Sequence, residues 1–155
     1  MATASTIQYL GPLTDAVTGA ALPLGTSNRQ TVETFFAGEA IVAGDIVCLD
    51  LVTAGLTDVK IATTVRQAST NAARTAVVGV ALAAQATVGG LVPVCIRGVC
   101  EANVLALSQG DVLTVTATAG SLDTIAAATA PQVAVALETV AAPGKGLVLV
   151  NCAGF

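Results

Sequence analysis

Four cysteines, Cys48, Cys95, Cys100 and Cys152, supply every thiol in the chain, and no histidine accompanies them. Without an imidazole, neither a Ser-His-Asp nor a Cys-His arrangement can be assembled from this chain alone. A catalytic thiolate would then need another cation to lower its pKa. Arg97 stands two residues after Cys95, which in a strand places both on one face, yet a buried structural thiol is the expected state. Zinc would have to gather four thiolates from scattered strands, since none of the cysteines forms a CxxC. The cysteines are therefore expected to be reduced and metal-free. Ten carboxylates lie dispersed along the chain, so no acid/base pair can be named. Gly144-Lys145-Gly146 lacks the Ser or Thr that follows the lysine of a phosphate loop, and reads as a hairpin turn. No catalytic, cofactor-binding or metal-binding residue is assigned, no cofactor is expected, and the chain is read as a non-enzyme.

The elements that would position these residues are strands arranged in two related units. Thr75 to Glu101 contains Val80-Ala81-Leu82 and Gly90-Leu91-Val92; Pro131 to Gly154 contains Val135-Ala136-Leu137 and Gly146-Leu147-Val148. Upstream of each copy lies a Gly-Asp step, Gly44-Asp45-Ile46-Val47 and Gly110-Asp111-Val112-Leu113. Glycine suits a turn with positive φ, and the aspartate can accept local backbone N–H groups. Each step is expected to open a strand with large apolar residues inside: Val47, Leu49 and Leu51 in the first copy, Leu113, Val115 and Ala117 in the second. Ile46, Cys48 and Asp50, and correspondingly Val112, Thr114 and Thr116, then face outward.

Thr31 to Phe36 alternates as a strand and sends Phe35 and Phe36 to opposite faces, so one of them should meet a neighbouring element or subunit. Asp58 to Val65 reads as an additional strand, absent from the second unit. Arg66 to Arg74 reads as a polar exposed loop that either contacts an acidic partner or is a solvated hairpin tip. Ala126 to Ala130 has room for a short helical turn. The fold class is all-β: a mostly antiparallel sandwich or small barrel built from two tandem units. Residues 31–155 are expected to form that single domain, and residues 1–30, with two prolines and little charge, an extended arm on another surface. A strand or loop packed on its own domain is the alternative for the arm.

The chain is 54% hydrophobic and only 10% charged, against about 25% charged in typical soluble domains. Its apolar residues are mostly Ala and Val, and small side chains bury little area each. A neutral surface over such a core fits a subunit of a larger assembly, a homo-oligomer included. Net charge is −4 with six basic residues spread singly, which gives no electrostatic footprint for nucleic acid. The uncharged run Thr75 to Ile96 is long enough for a bilayer, but Gln85, Gly89-Gly90 and Pro93 make it strand, turn and strand, so no membrane partner is expected. The first residues lack the basic and apolar regions of a secretory signal, and synthesis in the cytoplasm is the expectation.

The Gly44-Asp45-Ile46-Val47 strand, the Val78 to Leu82 run, Gly90-Leu91-Val92-Pro93-Val94 and the Gly98-Val99 corner together resemble the small capsid decoration, or cement, proteins of tailed bacteriophages. The resemblance covers about Ala37 to Gly154. It implies a compact β domain on the exterior of a phage head, commonly a homotrimer, that clamps neighbouring major capsid subunits and carries no catalytic residue. Tyr9 and Leu10 in the arm, Phe35, Phe36 and Phe155 are the candidate interface anchors, because aromatic and large apolar groups dominate many interfaces. A tail, fibre-base or non-viral shell component is the alternative assembly role.

Overall fold

The computed structural model describes residues 5–9, 28–51, 53, 55, 57–70, 76–125 and 132–152. Among them are β1 (Ser5–Tyr9), β2 (Asn28–Ala37), β3 (Ile46–Leu49), α1 (Asp58–Thr63), β4 (Thr64–Gln67), β5 (Val77–Ala81), β6 (Leu91–Val104), β7 (Val112–Val115), β8 (Leu122–Thr124), β9 (Ala134–Ala136) and β10 (Gly144–Asn151). The Val- and Thr-rich runs pair as strands because β-branched side chains fit a pleated surface. The fold is all-β, with every described pairing antiparallel except β2–β4 and β6–β8.

Those two parallel pairings close the sheet. β2 bonds both β4 and β6, so β2-β4-β3-β5-β6 is a ring; β6 bonds both β8 and β10, so β6-β8-β7-β9-β10 is a second ring. Two five-stranded barrels therefore share β6, whose first half completes one and whose second half begins the other. The strand passes between rings at a bulge opposite Thr31 and Val32. Gly98 sits just beyond it at φ 115°, a conformation that a side chain would strain.

The barrels repeat each other pair by pair. Phe36↔Leu91 is matched by Asn103↔Lys145, Val47↔Gln67 by Leu113↔Thr124, and Ile46↔Val80 by Val112↔Val135. The parallel closure Ala37↔Val65 is matched by Val104↔Leu122. Gly44 and Gly110 take φ 94° and 91°. Asp45 accepts the Val42 N–H and Asp111 the Ser108 N–H, both at 2.7 Å. The two Gly-Asp steps thus open equivalent strands. The match of Gly90-Leu91-Val92 to Gly146-Leu147-Val148 needs correcting by two positions: Val92 pairs with Phe35 and Gly146 with Ala102, so these two are the counterparts. A slip of two leaves every side chain on its own face, which is why the pattern concealed it.

Two further expectations are corrected. Asp58 to Thr63 is helix, and only Thr64–Gln67 is strand. Lys60 lies in the last turn of α1, where a cation complements the peptide dipoles. The strand is not an extra one either, because β8 is its counterpart; the longer connection of residues 50–63 against 116–121 is what distinguishes the first unit. In β3 both faces are buried: Val47 faces the first barrel's interior, while Ile46 and Cys48 join a cluster with the second barrel. Leu51 lies beyond the strand and is exposed. The inside–outside alternation holds in β7, where Leu113 and Val115 are buried and Val112 is exposed, but beyond the strand it reverses, with Thr116 buried and Ala117 exposed.

Phe35, Ile41, Val47, Val65, Val78, Val92 and Val94 fill the first barrel. Their counterparts Ala102, Leu107, Leu113, Leu122, Val133, Gly146 and Val148 are buried in the second. The second interior trades the Phe35–Val92 pair for Ala102 and Gly146, and takes leucine where the first has Val47 and Val65. The two leucines restore only part of the volume lost at Ala102 and Gly146, so the second interior closes around smaller side chains than the first.

Candidate interaction surface

Two uncovered apolar areas stand out among the described residues, one on each barrel. In the first, β2 alternates Phe35 inward and Phe36 outward, and Phe36 pairs directly with Leu91 of β6. Phe36 is 46% exposed and Val59 of α1 74%. With Val88 and Thr63 they line a groove of about 500 Å³ between α1 and the β5–β6 turn. The groove exists because the β3–β4 connection carries α1; the corresponding connection of the second unit is too short for one.

The second area is a row across three strands of the other barrel. Val112 pairs with Val135, and Val135 with Leu149. All three point away from the interior, with Val112 38% and Leu149 42% exposed. Leu147, two residues before Leu149 on the same outward face, is also exposed. Polar groups surround the row: Lys145 reaches Glu101 at 3.8 Å, and the Leu147 N–H donates to Glu138 at 2.7 Å. Arg97 and Asn151 flank Leu149 along a groove of about 490 Å³.

Polar side chains mainly brace the barrels. Asp45, buried, accepts from the Gln67 amide at 2.7 Å and the Asn103 amide at 2.8 Å besides the Val42 N–H. Arg66 lies 3.4 Å from Glu39 and 3.7 Å from the buried Asp50. Asp50 also accepts the Thr53 N–H and hydroxyl, at 3.0 and 2.7 Å. The expected exposed loop from Arg66 to Arg74 is corrected accordingly. Arg66 and Gln67 belong to β4, Ala68 and Ser69 are buried, and Arg66 already has acidic neighbours within its own chain. Residues 71–74 lie outside the described residues.

The four cysteines are free thiols in this structure. Cys95 sits at the seam between barrels, its S–H directed at the Arg97 carbonyl at 3.4 Å rather than at the guanidinium. A hydrogen bond from Cys100 lowers its pKa against the opposing effect of burial. Cys100, holding its proton toward Cys95 and buried, is pushed up. Burial, with the nearby Cys95 adding to it, pushes Cys152 up to about 12. Among the described residues no group of three or more acidic or thiol side chains is placed to hold a metal, and no helix is long and apolar enough to cross a membrane. The uncharged run beginning at Thr75 supplies β5, a turn and the start of β6.

Of the candidate anchors, Phe36 reaches the surface and Phe35 lies in the first core. Tyr9 ends β1, opposite Asn28 of β2; its side chain, Leu10 and Phe155 lie outside the described residues, as does Ala126 to Ala130. Within the segment expected as an arm, Ser5–Tyr9 and the start of β2 pair with each other as strands. Sequence reasoning passed over Val59, Val88, Leu91 and the Val112–Leu149 row. The signal for the last was Leu147-Val148-Leu149-Val150, apolar on both faces of a strand whose inner face alone needs it. No protein-family model matches the chain, and no curated protein matches it either.

Proposed function

We propose that the chain is a virion structural protein of the capsid decoration type, which adds to the outside of a preformed phage head and stabilises it by bridging major capsid subunits. The observation that carries this reading is the uncovered apolar area of Phe36, Val59, Val88 and Leu91 on a charge-poor chain, a face that shell subunits can cover. Phe36, Val88 and Leu91 offer the kind of apolar anchor that concentrates binding energy once a partner excludes water from it. The chain has 16 charged residues in 155, so association discards little solvation of charge. Many copies, each bound modestly, resist expansion of a lattice together because every contact raises the effective concentration of the next. The likeness of the Gly-Asp and Val-Gly-Val-Ala-Leu strands to decoration proteins points the same way.

The test compares heat and low-salt survival of heads carrying the full-length protein, none, or a version without residues 1–30. Heads with the protein should outlast bare heads, and bare heads that survive equally well would refute the reading. Normal binding by the truncated version would remove only the arm from the contact.

A further inference from the structure

The same three-strand row occurs twice in this molecule, once fully covered and once with its two ends exposed and its middle residue, Val135, half-buried. In the first barrel it is Ile46, Val80 and Cys95, joined by the pairs Ile46↔Val80 and Val80↔Cys95. In the second it is Val112, Val135 and Leu149, joined by the equivalent pairs. The first row points out of its own barrel, yet each member is 0% exposed, because the second barrel lies over it. Backbone bonds fix that packing: the Ile46 N–H donates to Gly120 at 2.9 Å, the Gly120 N–H to Ala68 at 3.0 Å, and the Cys152 N–H to Ile96 at 3.1 Å.

A strand face turned to water ordinarily becomes polar. Thr114 on β7 and Lys145 and Asn151 on β10 follow that rule, while Leu147, between Lys145 and Leu149, extends the apolar face. The row does not: all three positions remain apolar, and cysteine is replaced by the larger leucine. The row has an apolar centre and a rim of Arg97, Glu101, Lys145 and Asn151, the anatomy of a protein–protein contact.

We infer that the Val112–Val135–Leu149 row is the contact between copies of this chain, covered by a barrel of a second copy as the first row is covered by the second barrel of its own. The argument is one of continuity: the only described occupant of such a row is a barrel of this kind. The contact is independent of any shell, and so is its test.

The experiment is sedimentation of the purified full-length protein over a range of concentrations, for wild type, Leu149→Lys, the milder Leu149→Ser, and Leu91→Lys on the other apolar area. Thermal melts confirm that each variant is folded. Wild type should self-associate, Leu149→Lys should weaken association by about 30-fold or more, Leu149→Ser should weaken it less, and Leu91→Lys should leave it unchanged. A wild type that stays monomeric throughout overturns the inference and leaves the row to the chain's own residues or to a different protein. Association that survives both Leu149 variants and is lost in Leu91→Lys overturns it as well.

Discussion

The Asp45 carboxylate accepts the Asn103 amide at 2.8 Å, tying the turn before β3 to the strand that both barrels share. Asp111, its counterpart, holds its own turn through Ser108 and has no such amide partner among the described residues. Alanine at Asp45 should therefore cost roughly 3 kcal/mol or more, because it strands several buried donors, against about 1 kcal/mol at Asp111. Urea denaturation of the two variants measures the difference, and equal losses would mean that the bond across the seam contributes nothing.

The two interiors should respond in opposite ways to size. Phe35→Ala empties the first barrel and should destabilise by about 3–5 kcal/mol. Gly146→Val overfills the second, where even a Cβ would stand 2.9 Å from Val140 and 3.0 Å from Val104, and should cost about 1–3 kcal/mol. Melting of each variant, and of Phe35→Leu as a partial restoration, tests this directly.

Alkaline pH should loosen the fold through Cys152. Its folded pKa, raised to about 12, exceeds the ordinary thiol value of 9.0. The unfolded chain then releases this proton first, so stability is whole below pH 9 and falls between 9 and 12, by about 1.4 kcal/mol per pH unit. Cys100, also raised, acts in the same direction. Cys152→Ala should flatten the decline between pH 9 and 10.5 in denaturation curves; an unchanged slope would show that the thiol is not responsible.

Phe36→Ser and Leu91→Ser should leave the melting temperature within a few degrees of wild type, since both side chains are already exposed. Under the proposed function they should nevertheless reduce retention on heads. Pelleting of heads with each variant measures that, and full retention would move the shell contact elsewhere.

The repeat, the Gly-Asp turns and the strand character of most of the chain were legible because each has a local cause: a glycine at positive φ, an acceptor one turn away, a period of two. Closure was not legible. It rests on Ala37↔Val65 and Val104↔Leu122, contacts between small residues far apart in sequence, with no local signature. The helix at Asp58 was hidden because DVKIAT is short and carries both β-branched and helix-favouring residues. The buried outer face of β3 was misread because Cys48 looks like a solvent-facing position, and burial there is imposed by the other barrel; Asp50, just past the strand, is instead buried against Thr53 and Arg66 of its own barrel. The Val112–Leu149 row was overlooked for the converse reason: a valine-rich strand gives no hint which of its two apolar faces is the inner one.

The strand common to both rings also sets how the molecule bears load. β6 has 14 residues and spans roughly 45 Å, running unbroken from one barrel into the other. Two domains joined by a linker come apart by peeling, one contact at a time. Here a pull applied along β6 can draw the strand from either ring only by sliding it past both of its neighbours at once. Tension is met in shear by a whole ladder of backbone bonds, so the two barrels stretch as one body.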